Sequence, residues 1–201
     1  MRLLSIDTTS PHGGLALLDD GTLVEEVALN EPDGYSPVIF GAIESALERH
    51  GWTLDSIDAF AAASGPGSFT GVRVGLSAVK GLAEALGRPA FGVSNLQAVA
   101  SFGTTPIRAP WLDARRGEIY GGVFDSELRA LAPETVGPRE LWEATLPLEA
   151  EIVAGDGLSL AAAVVRIAAH RYRLGDRPDP ATLDANYLRR SDAEIFSKPL
   201  H

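Results

Sequence analysis

An α/β fold built from two related lobes is predicted by three features of this 201-residue sequence. Strand-like and helix-like periods alternate through the first half and again through the second, a pattern that calls for helices packed on sheets. The chain twice runs strand, aspartate, turn and returning strand, with Asp7 and Asp19 separated by 12 positions and Asp113 and Asp125 by the same 12. Stretch 64–87, SGPGSFTGVRVGLSAVKGLAEALG, joins a short apolar run to a long helical one through two glycines that flank a proline. That strand, loop and helix form the corner around which the other elements are arranged.

In chain order, residues 3–7 read as a strand, 8–13 as a polar turn and 14–18 as the returning strand; Asp19-Asp20-Gly21 then turns into a third strand through Leu23, Val24 and Val27. Ser36 followed by Pro37 predicts an N-cap with proline at the first helical position, and Gly51 stops the helix 36–49. Ala59-Phe60-Ala61-Ala62-Ala63 predicts a buried strand, with Ser68 or Thr70 capping a helix over 69–86. A short strand at 89–93 and a helix capped by Ser94 and running to about 101 complete the first lobe. Gly103-Thr104-Thr105-Pro106 marks the boundary between an N-terminal lobe, 1–105, and a smaller C-terminal lobe, 106–201. The second lobe reads as strands at 107–112, 118–124, 128–136 and 151–154, helices at 139–144 and 158–171, and a proline-punctuated surface segment from 175 to 201, anchored at 187–189.

Composition narrows the function classes. A net charge of −10 opposes a primary role in binding phosphate backbones, whose affinity comes from Lys and Arg. Residues 1–105 hold 5 Lys and Arg against 12 Asp and Glu, while 106–201 hold 12 against 15, with Arg166, Arg171, Arg173 and Arg177 grouped as a solvated helix end or a phosphate-facing patch. The absence of cysteine removes disulfides, thiolate nucleophiles and Cys-type zinc sites. No apolar run reaches membrane-spanning length, and strand-like sequence directly after Met1-Arg2 takes the place of a signal peptide, so a cytoplasmic protein is expected.

The two long helices of the first half carry more apolar surface than one-sided packing uses. In 69–86, Val72, Leu76, Val79, Ala83 and Leu86 form one stripe and Arg73, Ser77, Lys80 and Glu84 a narrow polar strip, yet the remaining flank holds Gly71, Val74, Gly75, Ala78, Gly81, Leu82 and Ala85. In 36–49 the apolar set Val38, Ile39, Phe40, Ala42, Ile43, Ala46 and Leu47 spans roughly 200° of the wheel. Such helices are either central in a core or covered by another subunit, and Gly71 and Gly75, four apart, would let another backbone approach.

Candidate chemistry is sparse. Asp7 at a strand end, followed by Thr8 and Thr9, can hold the water shell of Mg²⁺ or approach a phosphate, or it can serve as a turn aspartate; Asp113 repeats the arrangement. Gly65, Gly67 and Ser68 at a helix N-terminus can cradle an anion such as the phosphates of ATP or ADP, or simply permit the sharp corner, since the loop lacks a P-loop lysine and Pro66 removes a donor. His12, His50, His170 and His201 are isolated, and neither a paired-histidine metal motif nor a Gly-x-Ser-x-Gly elbow occurs.

Five segments carry a family resemblance: LLSIDTTS at 3–10, SGPGSFTGVRVGLSAVKGLA at 64–83, FGVSNLQAVA at 91–100, LDARRGEIYGGVF at 112–124 and YLRRSDAEI at 187–195. On these the chain resembles the TsaB (YeaZ) family of bacterial tRNA threonylcarbamoyladenosine biosynthesis proteins, whose relatives are often labelled M22 glycoproteases. The resemblance implies two ribonuclease-H-like lobes of the actin, sugar-kinase and heat-shock ATPase superfamily. It implies a noncatalytic scaffold with no required cofactor. Such a subunit pairs with a catalytic paralogue, TsaD, and with the ATPase TsaE assisting, the complex moves a threonylcarbamoyl group onto adenosine 37 of ANN-decoding tRNAs. It also implies a homodimer when the subunit is alone and tRNA contact only through the partner. By the same resemblance the partner interface falls on the helices 36–49 and 69–86, at Ile39, Phe40, Ile43, Leu47, Gly71, Val74, Gly75, Ala78 and Leu82. The chain departs from the family at Gly34-Tyr35-Ser36, where many relatives carry a histidine. A phosphoryl-transfer enzyme using Asp7, and a metallopeptidase, are the alternatives.

Overall fold

The computed structural model describes residues 1–29 and 34–189. Strands β1 (Arg2–Asp7), β2 (Gly13–Asp19) and β3 (Thr22–Leu29) form an antiparallel meander, and β4 (Ala59–Ala63) and β5 (Ala90–Val93) extend it in parallel, giving the order β3-β2-β1-β4-β5. The second sheet repeats the scheme. Here β6 (Ile107–Asp113), β7 (Glu118–Asp125) and β8 (Ala130–Pro138) form the meander and β9 (Glu151–Ala154) lies parallel to β6, in the order β8-β7-β6-β9. Two sheets with the same three-strand meander and parallel fourth strand are ribonuclease-H-like lobes, the architecture of the actin, sugar-kinase and heat-shock ATPase superfamily.

Side-chain parity explains how the first sheet is covered. Leu4 and Ile6 of β1, and Phe60 and Ala62 of β4, face α1 (Ile39–Arg49) and α2 (Phe69–Leu86); Leu3 of β1, and Ala59, Ala61 and Ala63 of β4, face α5 (Ala161–Arg173). A strand covered on both faces needs no polar alternation, hence the unbroken AFAAA of β4. The boundary at residue 105 therefore separates the two sheets but not the two cores: α5, from the second half, packs on β1, β2 and β4, and α3 (Asn95–Ala100), from the first, packs on β6 and β7. The short helix α4 (Arg139–Glu143) seats Trp142 against Ala109 and Ile119.

Three predicted boundaries shift. Helix α1 begins at Ile39, not Ser36, because the Tyr35 carbonyl accepts the N–H groups of Val38 and Ile39 in a preceding turn. The Tyr35 hydroxyl is in turn fixed on the β1–β2 connection, donating to the Ser10 carbonyl at 2.6 Å and accepting from the Gly13 N–H at 2.9 Å. The Gly34-Tyr35-Ser36 departure is thus a structural pin. Strand β8 starts at Ala130, since Leu128 sits in a turn with φ of 61°. Helix α5 occupies 161–173 rather than 158–171, its N-cap being Leu160. Of the terminal segment, residues 175–189 cross the first lobe, where Leu183 and Ala185 join its core and the Lys80 ammonium donates to the Ala181 carbonyl; the remainder, including 190–195 of the YLRRSDAEI match, lies outside the described residues.

Gly71 and Gly75 do admit another backbone, but it is the chain's own. A Cβ on Gly71 would overlap the Thr8 carbonyl oxygen, and one on Gly75 would lie 2.6 Å from Thr8 Oγ1. The Thr8 hydroxyl donates to the Gly71 carbonyl at 2.7 Å, locking the end of β1 to the first turns of α2. Gly75→Ala is expected to destabilise the protein by about 1–3 kcal/mol through overpacking, and Gly71→Ala by more because backbone must move; chemical denaturation of each variant measures the difference.

Candidate functional site

The end of β1 is the polar centre of the molecule. Asp7 is fully buried, and its carboxylate accepts from the Thr9 N–H (2.9 Å) and Thr9 hydroxyl (2.6 Å) through one oxygen and from the Leu160 N–H (2.9 Å) through the other. Burial pushes the Asp7 carboxyl above the usual carboxylate range, opposed by these three hydrogen bonds. Sequence inspection passed over Asn95, which is also buried and joins three segments. Its amide donates to Thr9 Oγ1 (2.7 Å) and the Pro66 carbonyl (2.9 Å), its side-chain oxygen accepts from the Gly65 N–H (3.1 Å), and its own N–H reaches the Gly65 carbonyl (2.8 Å). The signal available for it was the Ser-Asn pair at the start of a helix: Ser94 is the N-cap, as expected, while Asn95 faces inward.

Two of the expected ligand positions are engaged within the chain itself. Asp7 is spent on holding the N-terminus of α5 and on its own Asx turn, and it does not line the space between the lobes. Its buried carboxylate already accepts three hydrogen bonds from the chain, whereas Mg²⁺ usually keeps several waters. In the Gly65-Pro66-Gly67-Ser68 loop, with a cis Gly65-Pro66 bond, the Gly65 N–H goes to Asn95 and the Ser68 N–H to the Thr9 carbonyl, so neither is directed at a phosphate. Ser68 caps α2 through Gly71, as predicted.

Between the lobes lies a cavity of about 540 Å³, walled by Thr9, Gly67 and Ser68 on one side and Asp113, Arg115 and Asp156 on the other. Asp113 copies the Asx turn of Asp7, accepting from the Arg115 N–H at 2.8 Å, but is exposed. The late arginines disperse: Arg171 pairs with Asp176 at 2.8 Å, and Arg177 lies over the Tyr172 ring.

A second cavity, about 500 Å³, opens between α1 and α2. Phe40, 56% exposed, and Phe69, 42% exposed, stand at it with Val74 half-buried. Of the expected interface residues, Ile39, Ile43, Leu47 and Ala78 are buried in this chain's own core, as are Gly71 and Gly75 against Thr8, because the apolar arc of each helix is turned onto the sheet; Phe40, Val74 and Leu82 keep exposed surface.

Residues 33–144 match the family model described as TsaD: tRNA N6-adenosine threonylcarbamoyltransferase. The chain belongs to that family. Within it the likeness is to the TsaB (YeaZ) proteins. The tRNA threonylcarbamoyladenosine biosynthesis protein TsaB of Escherichia coli is 38% identical over 132 residues, covering 63% of this chain and 56% of the relative. TsaB of Bacillus subtilis is 34% identical over 126 residues, covering 62% and 55%. The chain thus spans about half the length of the curated relatives it matches. A Pseudomonas aeruginosa structure described as similar to peptidase YEAZ superposes with a TM-score of 0.80 at 25% identity, covering 94% of this chain and 99% of that one.

For a buried carboxyl whose folded value is raised, the stabilising contribution is full below the unfolded value and falls as pH rises through the folded one. Asp7→Asn turns an amide donor toward the Leu160 or Thr9 N–H and removes the titration. The stability lost in Asp7→Asn is therefore expected to shrink as pH rises from about 4, the ordinary carboxylate value, toward neutrality, read from melting temperatures of both proteins across pH.

Proposed function

We propose that this chain acts in the biosynthesis of N6-threonylcarbamoyladenosine at position 37 of ANN-decoding tRNAs, as a noncatalytic scaffold that pairs with the catalytic paralogue TsaD. The ATPase TsaE joins the assembled complex, and a homodimer forms when the chain is alone. The observation that carries this reading is the open groove between α1 and α2, where two phenylalanines are held half in solvent beside Val74. Covering each ring on a partner is worth about 2 kcal/mol, enough for a few such residues to hold a pair together. The similarity to TsaB proteins supplies the biosynthetic context. Among the described residues no helix is long and apolar enough to cross a membrane, and no three metal-ligating side chains come together.

Phe40→Arg places a charge in the groove without entering the core, and Val74→Arg does so at the core's edge. Each is expected to abolish co-elution with the paralogue, and self-association of the isolated chain, while the melting temperature stays within about 4 °C of wild type, since surface substitutions cost little. Ala78→Arg is a poorer test, because Ala78 is packed inside the chain's own core and the charge would unfold it. Unchanged assembly by light scattering in both groove variants would sink the reading.

A second reading, nucleotide held between the lobes, is favoured by the 540 Å³ cavity and its Thr9, Gly67 and Ser68 wall. On the scaffold reading, calorimetric titration of ATP with Mg²⁺ into the isolated chain yields no heat of binding; a saturable signal lost in Ser68→Ala would favour the second.

A further inference from the structure

Phe69 and Arg73, on the first turns of α2, form a wall shared by two grooves. On one side they line the groove toward α1, and on the other a groove of about 730 Å³ bounded by the turn joining β6 to β7 and by the segment 186–189. Of these two grooves, Tyr187 lines the second. It nevertheless holds both residues of the shared wall. The Tyr187 and Phe69 rings lie with centroids 5.3 Å apart, and the Tyr187 hydroxyl accepts from Arg73 Nε at 2.9 Å. The Arg73 guanidinium in turn sits 3.8 Å from the Phe69 centroid, so each of the three side chains touches the other two. All three are exposed, and without these contacts a phenylalanine and an arginine at a helix surface would each sample several rotamers.

Tyr187 is itself fixed from both sides along the chain. Before it, the Asn186 N–H donates to the Ser64 carbonyl at 2.8 Å and the Asn186 side-chain amide to Glu134 of β8 at 2.6 Å; Glu134 also accepts from the Ser94 hydroxyl. After it, Leu188 packs with Leu96 and Phe124, and Arg189 donates to the Ala114 carbonyl at 3.0 Å and pairs with Glu118. Strand β8 and the β6–β7 turn belong to the second sheet, whereas Phe69 and Arg73 belong to the first lobe. The second lobe therefore reaches the α1–α2 groove through a single ring.

We propose that Tyr187 is a positioning residue for pairing: carried by a segment anchored on the second lobe, it holds Phe69 and Arg73 in the arrangement that a partner subunit meets in the α1–α2 groove. This rests on the pairing reading of that groove. The physical basis is preorganisation, since association loses free energy for each flexible side chain that it must immobilise, and here two are immobilised beforehand.

The test is the dissociation constant for self-association of the full chain, from sedimentation equilibrium, with melting curves confirming that each variant is folded. Tyr187→Ala is expected to weaken the pair about tenfold, and Tyr187→Phe, which keeps the ring and loses the bond to Arg73, about threefold. In a Phe69→Ala background the further loss from Tyr187→Ala should shrink to about threefold, the share that acts through Arg73. Wild-type pairing in Tyr187→Ala, or a tenfold loss in both backgrounds, as a direct contact between Tyr187 and the partner would give, would overturn the proposal. If Phe40→Arg leaves the pair intact, the groove is not the pairing surface and both readings fall; if Phe40→Arg breaks the pair while Tyr187→Ala does not weaken it, the positioning role alone falls.

Discussion

The buried hydrogen-bond set at the end of β1 is the constraint on which the remaining geometry depends. Asp7, Thr9 and Asn95 are removed from water, so each unmet donor or acceptor would carry its full desolvation cost, about 1–3 kcal/mol. They are met together by Leu160 at the start of α5 on one side, the Gly65-Pro66 corner on the other, and Thr9 between. The network therefore does more than fill space. It fixes where α2 begins, through the Ser68 N–H on the Thr9 carbonyl, and where α5 begins, through Leu160.

From those two helix starts the surfaces follow. Close approach of Thr8 to Gly71 and Gly75 sets the N-terminal turns of α2 down on the sheet, so the helix presents Phe69, Arg73 and Val74 outward. On one side these residues border the groove toward α1, and on the other the groove toward 114–117 and 186–189. The first turns of α2 thus border two neighbouring grooves. Helix α5, from the second half of the chain, covers the opposite face of the first sheet and makes the two lobes interdependent.

Much of the fold was legible because it rests on local rules. The AFAAA run, the alternating strands, Ser68 and Ser94 as caps and the repeated spacing of 12 led to the elements found, with shifts of a few residues at α1, β8 and α5. The β8 shift follows from the local turn at Leu128, while the two helix shifts share a cause, a residue before the helix held by a distant group. Tyr35 is held by the β1–β2 turn, and Leu160 by Asp7. The candidate sites were legible only in part. Of the surplus apolar surface read on α1 and α2, Phe40 stays exposed, yet a helical wheel cannot distinguish a flank facing the chain's own sheet from one facing a partner. Ile39, Ile43, Leu47 and Ala78 faced inward.

By itself the sequence determined the alternation of strands and helices, the duplication of the lobes and the motifs that identify the family, because each depends on residues near one another in the chain. Tertiary structure alone decided which polar groups remain available. Asp7 read as a ligand and became a buried clasp, because the N–H that completes its shell belongs to Leu160. The late arginines read as a solvated helix end or a phosphate-facing patch; Arg171 pairs with Asp176 and Arg177 lies over Tyr172, while Arg73, Arg115, Arg116 and Arg189, from separate segments, line one groove. Charge density in space depends on where the chain returns to itself, and no local window of the sequence contains that information.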